Sequence, residues 1–387
     1  MQNDYDDATR LLTEAKDQFE SIEDQLGSSQ CLRSLGDISR VQNRYHDAKH
    51  LLTEAKNHFE SIGDQLGSAQ CLQSLGNIFR MQDEYDAAKH LLTEARIQFE
   101  SIGSQLCSAQ CLRSLGNICK MQDQYNMAKH LLTQAKAQFE LIGDQLGSAQ
   151  CLQGLGEIAM MQNEYNAAKK LLKDAEIQFN KTGSQLGPAR CLQSLGDISR
   201  MQDEYEDAKD MLTTAKIQFE LIGDQLGSAQ CLRSLGNIFM MQEKYDDAKH
   251  LLTEAKIQFE SIGSQLGSAQ CILSLGNISR MESKYDYAKQ MLTEAKIQFE
   301  SIGSQLGSAQ CLQTLGDISM IQDKYDVAKH LLTEAQIQFE SIGSQLGSAQ
   351  CLQRLDHISR KQALNMIMTN TSRVKEGKPN LNQLEAV

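Results

Sequence analysis

Proline is almost missing from this sequence: Pro188 and Pro379 are the only two in 387 residues, so little interrupts long helical stretches. Positive charge is also in deficit, with 38 Lys and Arg against 50 Asp and Glu, a formal net charge of −12. That balance argues against a sequence-independent grip on nucleic-acid phosphates or an anionic lipid surface, so neither nucleic acid nor membrane is an expected partner. No apolar run approaches the ~20 residues of a membrane-spanning helix. The opening residues Met1-Gln2-Asn3-Asp4-Tyr5-Asp6 have neither the basic region nor the apolar core of a secretory signal, and a soluble, cytoplasmic protein is expected. CxxC pairs, Cys/His clusters, phosphate-binding glycine loops, a Ser/His/Asp order and paired buried carboxylates are all absent. The expectation is no metal, no cofactor and no enzyme activity.

What the sequence does contain is an internal period. Tyr5, Tyr45, Tyr85, Tyr125, Tyr165, Tyr205, Tyr245, Tyr285 and Tyr325 stand 40 apart, and Phe19, Phe59 and Phe99 begin a second series that runs to Phe339. The stretch SIGSQLGSAQC is spelled identically at 261–271, 301–311 and 341–351, which implies tandem duplication. The cysteines obey the same period. Nine of the 11, from Cys31 and Cys71 to Cys311 and Cys351, occupy one position of the repeat. Equivalent atoms of stacked helices sit roughly a packing distance of ~10 Å apart, beyond disulfide reach, so these thiols are expected to act as small buried apolar groups.

Residues 64–103 represent one unit. Leu66, Ala69, Leu72, Leu75, Ile78 and Phe79 recur at helical spacing and predict helix A; Tyr85, Ala88, Leu92, Ala95, Phe99 and Ile102 predict helix B. Asp64 suits the start of A, Asp83 the start of B, and Gly103 a left-handed stop. Asn43, Asp123, Asn163, Asp203, Ser283 and Asp323 repeat the expected B cap, Glu243 less well, and Pro188 predicts a late start for its helix A. A two-helix unit cannot cover its own apolar face, so units must stack. The organisation expected is all-α: an orphan helix B in residues 1–22, eight hairpins over 23–342, a closing helix A and degenerate helix over 343–370, and a disordered tail over 371–387. The orphan helix exposes Tyr5, Leu12 and Phe19, which predicts either self-association through that face or a further segment that covers it.

The run Leu72-x-x-Leu75-Gly76-x-x-Phe79, followed by Tyr85, Ala88, Leu92 and Ala95, resembles the tetratricopeptide repeat. It recurs in every unit, but the aromatic position holds Phe only at 79 and 239, and a Gly-Asp-Gln-Leu-Gly turn replaces the usual closing proline. Forty-residue units with this turn are similar to those of Pins/LGN spindle scaffolds, of kinesin light chains and of the C-terminal arrays of fungal NB-ARC or NACHT ATPases. The resemblance implies an α-solenoid, a superhelix of stacked antiparallel hairpins whose concave groove binds a protein or peptide.

Carried over by position, the groove stripe lies half a turn from the helix A core. It comprises Arg33, Asp37 and Arg40, then Gln73, Asn77 and Arg80, then Arg113, Asn117 and Lys120, and continues through Gln153, Glu157 and Met160. Farther on it includes Asp197, Arg200, Arg233, Asn237, Asn277, Arg280 and Asp317. These side chains are expected to face solvent. Variation at exposed positions follows duplication whether or not a ligand tunes it, and helix B's outer positions vary too. The chemistry says more. Basic groups gather on one stripe of an acidic chain, with Asn amides between them, which suits an acidic peptide or a free C-terminal carboxylate. His50, His90, His130, His250 and His330 share a helix B position without a nucleophile beside them and read as solvated surface. Two functions follow: a non-catalytic interaction scaffold, or the sensing array of a larger signalling ATPase whose nucleotide-binding domain lies upstream.

Overall fold

The computed structural model describes residues 2–376, and the side chains of residues 5–363. Among the described residues the chain forms eighteen α-helices and no strand. It divides into two units, Met1–Ile198 and Ser199–Val387. The first contains α1 (Gln2–Ser21), α2 (Gln25–Val41), α3 (Tyr45–Ser61), α4 (Gln65–Met81), α5 (Tyr85–Ser101), α6 (Gln105–Met121), α7 (Tyr125–Leu141), α8 (Gln145–Met161), α9 (Tyr165–Lys181) and most of α10 (Leu186–Met201). The second contains α11 (Tyr205–Leu221), α12 (Gln225–Met241), α13 (Tyr245–Ser261), α14 (Gln265–Met281), α15 (Tyr285–Ser301), α16 (Gln305–Ile321), α17 (Tyr325–Ser341) and α18 (Gln345–Glu376). Even-numbered helices are the A helices and odd-numbered ones the B helices.

Both turns of the hairpin are closed by left-handed residues. After α3, Gly63 has φ 75°, the Asp64 amide donates to the Phe59 carbonyl at 2.8 Å, and the Asp64 carboxylate accepts from Gly67 N–H at 3.0 Å. After α4, Asp83 takes the same left-handed role with φ 61°, and the Glu84 amide donates to the Phe79 carbonyl at 2.9 Å. Asp83 therefore ends helix A and does not cap helix B. α5 begins at Tyr85 with no side-chain cap, and the Tyr85 hydroxyl donates to Asp83 at 2.7 Å. The same correction applies to Asn43, Asp123, Asn163, Asp203, Glu243, Ser283 and Asp323, each with φ between 57° and 62°. Asn and Asp tolerate that region better than other side chains, which is why they predominate there. Pro188 does delay its helix: α10 starts at Leu186, one residue later than its fellows.

Helix B follows the expected stripe, since Ala88, Leu92, Ala95 and Phe99 are each 0% exposed. Helix A is buried on two sides, a broader core than a single face. One core joins Ala69 and Leu72 of α4 to α5 and to Cys111, Leu115 and Ile118 of the next helix A. Cys71, Leu75 and Ile78 face the preceding hairpin in the same way, against Leu52, Ala55 and Phe59. Each helix B is thus covered by its own helix A and by the following one, so no hairpin has a complete core alone. Leu66, expected in the core, is 44% exposed in the first turn of α4, and Phe79 is half-buried beneath the Lys49 ammonium, 4.0 Å from its ring. Gly76 lets α4 and α5 approach: a Cβ there would lie 2.7 Å from Leu92 Cγ.

The terminal helices differ from the others. In α1, Leu12, Ala15 and Phe19 are only half-buried, whereas their counterparts Leu52, Ala55 and Phe59 are fully buried. At the other end, α18 does not give way to an irregular tail at Thr371. It continues to Glu376, because no proline or glycine occurs after Gly347 until Gly377. The remainder of the expected tail, 377–387, lies outside the described residues. On α18, Leu352 is 51% exposed where Leu72 and Leu312 are buried, and Asp356 replaces the packing glycine, paired with Arg360 at 2.8 Å.

Candidate functional site

The A-helix stripe is not simply solvated. Each stripe residue named above is half-buried, and several of them bond to the A helix of the next hairpin. The geometry is a ladder between residues 37 apart. Arg33 donates to Gln70, Gln73 to Gln110 at 3.2 Å, and Gln313 to Gln350 at 3.1 Å. One turn on, Ser74 donates to Asp37 at 2.9 Å, Ser114 to Asn77 at 3.4 Å and Ser274 to Asn237 at 3.0 Å. Arg354 reaches Asp317 through two nitrogens, Nε at 2.5 Å and Nη2 at 3.2 Å. Lys120 pairs with Glu157 in the third rung, both side chains mostly covered. The stripe therefore holds neighbouring helices together as well as presenting charge, and its expected freedom is reduced accordingly. Arg40 is turned onto Asp37 at 3.4 Å.

Arg80, Arg113, Lys120 and Arg190 line one open cavity of about 330 Å³, together with Asn117, Gln150, Gln153, Gly154 and Glu157. Glu157, the one carboxylate in the lining, is occupied by Lys120 and by Gln153, which donates to it at 2.8 Å. Burial pushes the guanidinium of Arg113 downward, Cys151 and Asp144 oppose this, and Arg80 adds repulsion. Arg80 is likewise held down, chiefly by burial and then by Arg40, with Tyr85 opposing. Arg113 also lies 5.7 Å from the Phe139 ring.

Gly154 and Arg190 escape a reading confined to the stripe. Seven of the nine A helices have Ser or Thr where α8 has Gly154, and the other eight have Gln where α10 has Arg190. The signal lay in the departures from an otherwise copied repeat. The remaining stripe residues, Arg200, Arg233, Asn237, Asn277 and Arg280, are half-buried in the second unit, apart from this cavity.

Groups elsewhere carry structural roles. All eleven cysteines are free and ten are buried; burial raises the thiols of Cys71, Cys111, Cys151, Cys191, Cys271 and Cys311 to about 12. The recurrent histidines are exposed on the B helices. Among the described residues no three His, Cys, Asp or Glu side chains group as metal ligands, and no helix is long and apolar enough to cross a membrane.

No protein-family model matches the chain, and no curated protein matches its sequence. Solved structures do share its fold. A Rap regulator of conjugation genes from plasmid pLS20, in complex with a Phr peptide, is 14% identical with a TM-score of 0.61, over 87% of this chain and 96% of that one. A Rap protein complexed with competence and sporulation factor is 16% identical with a TM-score of 0.55, over 89% and 99%. A STAND signal-transduction ATPase with a tetratricopeptide repeat sensor, from Pyrococcus horikoshii, is 15% identical with a TM-score of 0.59; the match covers 85% of this chain and 50% of that protein. The chain has the fold its repeats resemble, an all-α, tetratricopeptide-like solenoid of antiparallel hairpins.

Proposed function

We propose that this chain is a non-catalytic interaction module whose first unit binds an extended acidic segment of another protein along the A-helix stripe. The observation that carries the reading is the cavity between α4, α6, α8 and α10. There the guanidiniums of Arg80, Arg113 and Arg190 converge, and the only carboxylate in the lining is already paired. In a chain of net charge −12, such a concentration of cations is a local device for attracting anions. Asn117 adds an amide able to bond a peptide backbone. One protein of similar fold was solved with a Phr peptide and another with competence and sporulation factor, which supports a ligand-binding use here.

The test exploits the repeats themselves. Arg113→Gln and Arg80→Met place in the cavity the residues that other units carry at those positions, Gln73 and Met160, so the fold should tolerate them. The probe is a fluorescein-labelled octapeptide rich in Glu, followed by anisotropy. The double variant should weaken binding by about tenfold or more, the scale of two lost charge-assisted contacts. His130→Glu with Thr133→Glu, on the exposed face of α7, should leave binding unchanged. Equal affinity in wild type and the double variant sinks the proposal.

A second reading, the sensing array of a larger signalling ATPase, is favoured by the likeness to the sensor-bearing STAND protein, of which this chain matches half. A transcript that joins this array to an upstream segment with a phosphate-binding glycine loop would support it. A transcript with a stop codon immediately upstream of Met1 would contradict it.

A further inference from the structure

Duplication copied most of this chain, so two departures meeting at one place are informative. Gly154 and Arg190 lie on different helices and 36 residues apart, yet both line the cavity that holds Arg80, Arg113 and Asn117. Their effects are complementary. Ser74, Ser114 and Ser274 donate to the residue at the Asn117 position of the preceding A helix, namely Asp37, Asn77 and Asn237. Gly154 removes that donor. A Cβ at 154 would stand 3.6 Å from Asn117 Oδ1 and 3.0 Å from Leu132, so the glycine leaves Asn117 Oδ1 without a serine donor, which frees the amide to turn its Nδ2 donor to an anion, and clears space before it. Arg190 puts an exposed guanidinium where the other A helices present a neutral Gln.

The charge balance selects the ligand. Lys120 and Glu157 cancel, which leaves three guanidiniums facing the cavity. One carboxylate would answer only one of them. A phosphoryl group carries a charge near −2 at neutral pH with three acceptor oxygens, and the planar guanidinium fork matches it in geometry. We propose that this cavity is a phosphoryl-binding site, built from Arg80, Arg113, Asn117 and Arg190 around Gly154, which takes a phosphorylated Ser or Thr side chain of the bound peptide. The inference rests on the acidic-peptide reading above and specifies its anchor. The repulsion between Arg80 and Arg113, and the burial that disfavours their charge, would be relieved by such an anion.

The experiment uses the full chain and three probes: inorganic phosphate by calorimetry, and one fluorescent peptide in its serine and phosphoserine forms by anisotropy. One phosphate should bind per chain, more tightly at about pH 8 than at about pH 5.5, because the dianion of inorganic phosphate predominates only above neutral pH. Acetate should not compete. The phosphoserine peptide should bind at least about tenfold more tightly than the serine peptide and more tightly than free phosphate. Arg190→Gln and Gly154→Ser each restore the residue of the other repeats, so both should fold, and each should abolish most of that preference. No saturable phosphate binding, several equivalent sites, or an undiminished preference in both variants would overturn the site. Phosphopeptide affinity no better than that of free phosphate would overturn the peptide as its source. If the Glu-rich peptide still responds to Arg113→Gln while phosphate does not bind, the phosphoryl assignment fails and the acidic-peptide reading stands. Loss of Glu-rich peptide binding with phosphate binding intact has the opposite meaning.

Discussion

At the residue scale, the most informative positions are those that hold the backbone in a left-handed conformation without glycine. Glu243 has φ 59° and makes no recorded side-chain bond that would offset the strain, unlike Asp83 with its Tyr85 hydroxyl. Glu243→Gly should raise the urea midpoint, by up to about 1 kcal/mol of stability, because glycine enters that region without Cβ strain. Glu243→Val should lower it by about 1–2 kcal/mol. Equal stability in both variants would mean that the position does not constrain the backbone. Sequence alone misassigned this residue class because Asp, Asn and Ser favour both helix N-caps and left-handed turns. The two roles differ by a single position, Asp83 against Glu84, and only the φ angle separates them.

At the element scale, most of the fold was legible. Period, helix type and the Ala88-Leu92-Ala95-Phe99 stripe could be read because one exact repeat makes every unit evidence for the others. The second buried side of helix A was harder to see, since Cys71 and Ile78 pack against Leu52, Ala55 and Phe59 of the preceding hairpin. The stripe's cross-helix bonds were hidden for the same reason: Lys120 and Glu157 are 37 residues apart, and spacing within one helix cannot reveal a partner on another. Arg80, Arg113, Asn117, Lys120, Gln153 and Glu157 of the candidate cavity were visible as stripe residues; Gly154 and Arg190 were not, because they sit off the counted stripe. The end helix α1 gives a separate expectation. With Leu12, Ala15 and Phe19 only half-covered, its amides should exchange with deuterium at least about tenfold faster than those of α3, whose corresponding residues are fully buried. Equal protection in α1 and α3 would show that something else covers that face.

At the scale of the whole molecule, repetition multiplies small effects. Six thiols raised to about 12 and Cys351 raised to about 11, all by burial, remain neutral in the folded state while unfolded thiols ionise near pH 8.5. The sign follows from proton binding: above pH 8.5 the folded state holds more protons, so stability falls as pH rises. Thermal midpoints should be insensitive to these groups below about pH 8 and decline steadily from about pH 9 towards 12. Replacing Cys151 and Cys191 with Ala should lessen the decline; an unchanged slope would place its cause in other groups, such as Tyr85 and Tyr125, which burial also raises to about 12.

The same scale poses the sharpest question about function, because the net charge of −12 and the local cationic cavity predict opposite ligands. The direct measurement compares two labelled octapeptides, one rich in Glu and one rich in Lys, by anisotropy against the whole chain at about 0.15 M salt, where the ~8 Å screening length suppresses the long-range field and favours close contacts. The account predicts saturable 1:1 binding of the Glu-rich peptide, weakened as salt rises, and no comparable site for the Lys-rich one. Preference for the Lys-rich peptide, or no saturable binding of the Glu-rich one, would contradict it.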